Sequence, residues 1–163
     1  MNELLNKISS YNLFNYLLPG IIFTVLTSDI IHYPIGQRDV VTTSFFYYFV
    51  GLVISRFGSL IIEPLLKRLS FTKFAEYNKF LDASRKDPQI AVLSEANNTY
   101  RTLCSLFSLL LILKLYLRVQ SRFIFLKDWD ATALILLLLL MFLFSYKKQT
   151  SYITRRVKAT GDL

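Results

Sequence analysis

The sequence predicts an all-α, polytopic membrane protein with four transmembrane helices and a helical hairpin between the second and third. Of its 163 residues, 53% are hydrophobic, and they fall into four blocks separated by charged stretches. Each block is close to the roughly 20 residues that cross a hydrocarbon layer about 30 Å thick. A soluble domain of this length would not need four such blocks, so the pattern predicts a single membrane domain.

The first two spans are predicted at about residues 13–31 and 41–66. The first contains Pro19 and Gly20, which predict a kink in the helix because proline lacks a backbone donor. The second begins with an aromatic run at residues 45–49, a composition typical of a membrane–water interface.

The last two spans are predicted at about residues 99–117 and 131–146. The fourth contains an unbroken leucine run at residues 136–140. Such a helix can face lipid on all sides, so we expect it at the edge of the bundle.

The connection at residues 67–98 is predicted to form a helical hairpin. Phe71, Phe74, Tyr77 and Leu81 recur at spacings of three and four, which indicates an amphipathic helix. The pair Asp87-Pro88 is typical of a helix start, so a second helix is expected to run directly into the third span. The apolar stripe has two interpretations: it packs against the returning helix or the lipid interface, or it docks a cytoplasmic protein.

The distribution of basic residues predicts the orientation, because cytoplasmic loops carry an excess of Lys and Arg. One side holds thirteen of them: Lys7, Lys67, Arg68, Lys73, Lys79, Arg85, Lys86, Arg101, Lys147, Lys148, Arg155, Arg156 and Lys158. The other side holds four: Arg38, Arg118, Arg122 and Lys127. Both termini, the hairpin and the basic tail at residues 147–163 are therefore predicted to be cytoplasmic, as in a bacterial inner-membrane protein.

Two charged residues lie inside the second span, where they cost about 2.5–3.5 kcal/mol each on insertion scales. Arg56 and Glu63 are seven apart, which predicts a shared helix face that Lys67 continues. In a structural interpretation, Arg56 pairs with a carboxylate or carbonyl on another helix, and Glu63 pairs with Lys67. In a functional interpretation, a polar seam or pore forms in an oligomer, and a proton relay is a third possibility. The residues predicted to line that seam are Arg56, Ser59, Glu63, Asn97, Asn98 and Ser105.

Residue types that carry catalysis or bind metals are scarce in this chain. It has one histidine, one cysteine and five unclustered glycines, which is too few for a thiolate metal site, a glycine-rich phosphate loop or a histidine base with its orienting partner. The sequence therefore predicts a protein that is not an enzyme and has neither a cofactor nor a bound metal.

The net charge of +8 raises the question of an acidic partner. The basic residues flank the apolar blocks, as expected of side chains that contact lipid headgroups, so direct nucleic-acid binding is not predicted. A cytoplasmic protein or anionic lipid is the expected partner, and the tail at residues 152–158 suits lipid. The candidate contact residues are Lys67, Arg68, Lys73, Lys79, Arg85, Lys86, Arg155 and Arg156.

The start of the first span carries a resemblance to a known family. It reads Tyr11-Asn12-Leu13-Phe14-Asn15-Tyr16-Leu17-Leu18-Pro19-Gly20, followed by Ile21-Ile22-Phe23. This segment, together with the chain length and the span number, resembles the small four-helix membrane subunit of bacterial Kiwa-type anti-phage defence systems. The resemblance implies an inner-membrane protein that self-associates, a tetramer being one form, and works with a cytoplasmic partner. It carries over no functional residue.

Two functional hypotheses follow from the sequence. The first is a non-enzymatic membrane sensor or scaffold that self-associates and recruits or regulates a cytoplasmic partner. The alternative is a small oligomeric ion channel or membrane-disrupting effector with Arg56 and Glu63 near the conduction path. A transporter is less favoured, because only one span carries two ionisable residues.

Overall fold

A computed structural model describes residues 12–32 and 39–161, and this part of the chain is almost entirely helical with no strand. Four helices are long and apolar enough to cross a membrane. They are α1 (Leu13–Ile31), α2 (Val40–Arg68), α4 (Gln89–Gln120) and α5 (Asp130–Gly161). The short helix α3 (Tyr77–Lys86) lies between α2 and α4, and a 3₁₀ turn (Ile124–Trp129) precedes α5. The predicted fold class is confirmed. Lys7, Tyr11 and Arg38, which enter the sequence predictions, lie outside the described residues.

The helices α1 and α2 pack antiparallel at backbone contact distance. A Cβ atom added to Gly20 would lie 1.8 Å from the Tyr47 carbonyl oxygen, and one added to Gly51 would lie 1.7 Å from that of Tyr16. Small residues are what allow two transmembrane helices to approach this closely. Gly20 and Gly51 therefore set the spacing of the first two spans.

The apolar core lies where α4 joins this pair. Ile54, Leu106 and Leu110 are buried there, and residues of α1 and α2 pack around them. The helix α5 contributes nothing to this core, since none of its most apolar window is buried in the bundle. Four of the five leucines in its run, all except Leu138, are exposed, as expected for a helix that faces lipid at the edge of the bundle.

Both α1 and α2 contain a π-helical turn immediately before a proline. In α1 the turn is Leu13–Leu17, and the Leu18 N–H bonds to the Leu13 carbonyl just before Pro19. In α2 the turn is Gly58–Ile62, and the Glu63 N–H bonds to the Gly58 carbonyl just before Pro64. Proline has no N–H to donate and its ring crowds the carbonyl four residues earlier. A wider turn at that point removes the conflict. At Pro19, where the sequence predicts a kink, the structure shows this π turn.

The connection after α2 differs from the predicted amphipathic helix. Ser70 adopts a left-handed conformation (φ 57°), with hydrogen bonds from Ser70 N–H to the Lys67 carbonyl and from Phe71 N–H to the Leu66 carbonyl. These are the two bonds of a Schellman motif, which ends a helix. Phe71 and Phe74 consequently lie outside any helix and are exposed, so their assignment to the helical stripe was wrong.

The rest of this connection contains the short helix α3 and the start of α4. Helix α3 contacts α4, and Leu81 is the buried residue of α3. After the break at Asp87 and Pro88, α4 begins at Gln89 and continues without interruption into the third span.

Both α4 and α5 extend well beyond their predicted membrane segments. Each has 32 residues and is therefore about 48 Å long, against about 30 Å of hydrocarbon. The tail predicted to begin at residue 147 is a continuation of α5, at least as far as residue 161. At one end of the bundle, residues 89–98 of α4 and 147–161 of α5 therefore extend beyond the length that a bilayer requires. We call this end the projecting end.

Candidate functional site

Three buried polar side chains join α1, α2 and α4, and we call them the buried polar layer: Asn15, Ser55 and Thr102. The Thr102 hydroxyl donates to Asn15 Oδ1 at 2.8 Å, and Asn15 Nδ2 lies 3.4 Å from Ser55 Oγ. All three are at most 4% exposed. Inside a bilayer an unsatisfied polar group costs several kcal/mol, so this mutual bonding fixes the register of the three helices.

A charged layer lies nearer the projecting end and is centred on Glu63. Its carboxylate contacts Arg101 of α4 (Oε2 to Nη1, 2.7 Å), Lys67 one turn along α2 (Oε1 to Nζ, 3.0 Å) and Lys148 of α5 (Oε1 to Nζ, 3.7 Å). The Lys148 ammonium also donates to the Ser59 carbonyl at 2.6 Å and to the Ser59 hydroxyl at 2.7 Å. Glu63 therefore ties α2, α4 and α5 together at one level.

The electrostatics of the charged layer are unbalanced. The Glu63 side chain is 10% exposed, and three cations surround this one carboxylate. Two of the cations also meet aromatic rings: Lys67 Nζ lies 3.9 Å from the Phe74 ring centre and Lys148 Nζ 5.7 Å from that of Tyr152. One cation is enough to neutralise one carboxylate, and Glu63 contacts three, so the layer has an excess of positive charge.

The structure contradicts the prediction that Arg56 and Glu63 share one helix face. A seven-residue spacing gives two full turns only in a regular α-helix, whereas the π turn Gly58–Ile62 inserts an extra residue between them. Gly58 lies against Arg101 and Ser105, and Glu63, five residues later, contacts Arg101. The wider turn has therefore rotated Glu63 towards α4. Within the described residues Arg56 makes no ion pair or hydrogen bond, so the seam predicted for an oligomer stays a prediction.

The other predicted seam residues are divided between two places. Ser59 and Glu63 meet at Lys148, and the predicted pair of Glu63 with Lys67 is confirmed. Ser105 is fully buried, donates to the Arg101 carbonyl at 2.7 Å and touches Gly58. Asn98 takes part only through its backbone carbonyl, which accepts from Thr102 at 2.9 Å. These contacts hold the helices of one chain together.

The predicted partner-contact residues lie on the projecting end and are solvent-exposed. Two make only exposed local pairs, Lys79 with Glu76 at 3.4 Å and Arg85 with Asp82 at 3.9 Å. The exposed basic side chains of this end are Lys67, Arg68, Lys73, Lys79, Arg85, Lys86, Lys147, Arg155, Arg156 and Lys158. They form a broad surface and do not converge on one small site.

Sequence reasoning missed the residues that complete both layers. Arg101 and Lys148 were assigned to the charge excess outside the membrane, and Asn15 to the entry of the first span. A usable indication was present in Pro64, which follows Glu63 directly and disrupts the regular helix there. The partners themselves come from distant parts of the chain, so no local pattern reveals them.

The opposite end of the bundle is held by carboxylates at helix starts. Asp39 caps α2, accepting from the Thr42 N–H at 2.8 Å and its hydroxyl at 3.0 Å. The backbone N–H of Thr42, with its hydroxyl, holds the pKa of Asp39 below its ordinary value of 3.8. Asp130 accepts from Tyr116 and, at 2.6 Å, from Gln120, which connects α5 to α4.

The described residues contain no group of three His, Cys, Asp or Glu side chains that could hold a metal ion. No protein-family model matches the sequence, no curated protein matches it, and no solved structure matches it. The resemblance to Kiwa-type membrane subunits therefore stays a prediction.

Proposed function

We propose that the protein is a non-enzymatic scaffold or sensor of the bacterial inner membrane, which recruits or regulates a cytoplasmic protein through the projecting end of its bundle. One observation carries the proposal. Polar groups within the spans bond chiefly to one another, whereas the basic groups of the projecting end are exposed. The polar groups of the membrane part therefore stabilise its own fold, and the basic groups of the projecting end are left accessible to a partner.

We call this surface the basic platform: α3, residues 89–98 of α4 and residues 149–161 of α5. Its excess of Lys and Arg over acidic residues favours a partner with an acidic face, because charge complementarity speeds encounter and selects partners. The same excess favours a cytoplasmic location for the platform and both termini. The helices give the platform a defined shape, so a partner would not have to order a flexible tail on binding.

Self-association belongs to the same proposal, and Arg56 supports it. This half-buried residue lies seven residues from Glu63, about 10 Å further along the helix. A charge at such depth normally faces protein or water, and no described side chain of its own chain pairs with it. A neighbouring subunit or membrane partner that supplies an acceptor would remove this cost.

The test is a pair of charge-reversal variants of the full chain, expressed in its bacterial host and purified in mild detergent. The first changes Lys79, Arg85 and Lys86 to Glu on the platform. Its matched control changes Arg118, Arg122 and Lys127 to Glu at the opposite end, with the same number of charges. Native mass spectrometry then reports which soluble protein accompanies each variant.

A cytoplasmic protein that accompanies the wild type and the control, but not the platform variant, would support the proposal. Its retention should also fall as salt is raised, since exposed charge contacts are screened. Equal retention by both variants, or wild-type protein that carries no partner at any salt concentration, would overturn the recruitment function.

The second candidate function is an oligomeric ion channel or membrane-disrupting effector, and the observation in its favour is that Arg56 has no ion-pair partner among the described residues. Several copies arranged with Arg56 facing a common axis would bring this charge to a conduction path. Ion flux through liposomes that is abolished or changed in selectivity by Arg56→Leu would favour the channel. Liposomes that stay tight with an oligomeric protein present would exclude it.

A further inference from the structure

An apolar groove of about 950 Å³ runs along α5, between this helix and the pair α2 and α4. This volume is at the upper end of the roughly 300–1,000 Å³ typical of small-molecule sites. Branched and aromatic side chains form its walls, among them Val53, Phe57, Leu60, Ile112, Leu138 and Phe144. The groove is therefore large enough and apolar enough for a hydrocarbon chain.

One end of the groove is basic and polar. Lys147, Lys148, Ser151, Tyr152 and Arg155 line it there. Lys148 is engaged by Ser59 and Glu63, but within the described chain the Lys147 and Arg155 side chains have no hydrogen-bond or ion-pair partner. The only carboxylate of the adjoining charged layer is Glu63, which already has three cations. This end of the groove therefore attracts an anion.

The groove is poorly suited to a further transmembrane helix. Helices associate closely in a bilayer where small residues let their backbones approach, and the apolar walls of this groove carry bulky side chains. The glycines that do permit close approach, Gly20, Gly51 and Gly58, already face neighbouring helices of the same chain. An acyl chain conforms to an irregular apolar wall without such residues.

We propose that an anionic phospholipid occupies this groove. One acyl chain lies along α5 against Phe57 and Leu138, and the headgroup phosphate is bound by Arg155 and Lys147. The charged end of the groove begins at Lys147, directly after the predicted fourth span at about residues 131–146, where a lipid headgroup is expected. Basic pockets between transmembrane helices on the cytoplasmic side are suited to such lipids. The site would fasten α5 to a bundle from which it is otherwise the most exposed helix.

The experiment uses the full chain purified in detergent, with phosphatidylglycerol and phosphatidylcholine of identical acyl chains added in turn. Native mass spectrometry measures the retained lipid. We expect one phosphatidylglycerol to be held in preference to phosphatidylcholine, and Arg155→Gln and Lys147→Gln each to weaken its retention about fivefold. Lys158→Gln is the matched control on the same helix, outside the groove, and should leave retention unchanged.

A second pair of variants tests the acyl-chain part of the groove. Leu138→Trp, which fills the groove, should reduce lipid retention, whereas Leu139→Trp, on the same helix but not in its lining, should not. Thermal unfolding of each variant confirms that the bundle is intact. Equal retention of both lipids, or equal losses in Lys158→Gln and Arg155→Gln, would overturn the proposal. Displacement of the lipid by inorganic phosphate would also overturn the proposal, because that result indicates a site for a free anion. A dimer that is disrupted by Leu138→Trp alone would overturn it as well, because it indicates that a second copy of the chain fills the groove.

Discussion

Glu63 and Arg101 join the second and third membrane helices through an ion pair, with Glu63 Oε2 lying 2.7 Å from Arg101 Nη1. The side chains are 10% and 19% exposed, so the pair is largely withdrawn from solvent. Removal of one partner from such a pair leaves the other charge uncompensated. Glu63 therefore acts as a brace between helices in the single chain.

The first prediction concerns this brace. Glu63→Gln should lower the free energy of unfolding by about 3 kcal/mol, because Arg101 and Lys148 lose their shared counter-charge. The measurement is reversible unfolding of the purified protein in mixed micelles. Glu76→Gln is the control, since its pair with Lys79 is 66–80% exposed and such pairs contribute well under 1 kcal/mol. Similar losses in the two variants would show that Glu63 is not a brace.

The second prediction concerns the contact of Gly58 with Ser105. A methyl group at Gly58 would lie 2.3 Å from Ser105 Oγ, so Gly58→Ala should destabilise the protein by about 1–3 kcal/mol. Ser105→Ala removes the clashing atom, and the double variant should recover at least 1 kcal/mol in a double-mutant cycle. Gly51→Ala is the contrasting case, because its clash is with the Tyr16 backbone and no side-chain change relieves it. Additive effects of Gly58→Ala and Ser105→Ala would contradict the packing described.

The third prediction concerns the end of α2 at Ser70. A left-handed conformation strains an L-residue by about 1–2 kcal/mol but suits glycine, so Ser70→Gly should raise the unfolding midpoint. Ser84→Gly, inside the regular helix α3, should lower it, because glycine in a helix interior costs about 1 kcal/mol relative to alanine. Differential scanning fluorimetry of both variants provides the comparison. A destabilised Ser70→Gly would rule out the Schellman motif.

The fourth prediction concerns pH and the cap at Asp39. The bonds from Thr42 hold the pKa of this carboxylate down in the folded protein, so the ionised form stabilises the fold. This contribution is fully present above the pKa of the unfolded chain and is lost as the pH falls through the lower pKa of the folded protein. Asp39→Asn should therefore be less stable than the wild type at neutral pH and should approach it in acid. A stability difference that does not change between pH 7 and pH 3 would contradict this role.

The sequence by itself determined the fold class and the approximate position of each membrane helix. It could do so because a span must be apolar over about 20 residues whatever its neighbours are. It also indicated that α5 is peripheral, since an all-leucine run has no polar group to bury. The continuity of α4 with the preceding connection was likewise readable from Asp87 and Pro88, a local helix-start signal.

Only the tertiary structure decided which polar side chains meet. The π turn before Pro64 rotates Glu63 away from the face of Arg56, and a helical wheel that assumes a regular helix cannot show this. Asn15 contacts Ser55 and Thr102, which lie 40 and 87 residues further along the chain. Glu63 pairs with Arg101, 38 residues away, and Ser59 with Lys148, 89 residues away. Such pairings depend on how each helix is rotated and on which of its turns meet the neighbouring helix. The close glycine contacts and the π turns before the prolines set both. Span positions follow from local composition, but the polar layers exist only once the helices are assembled.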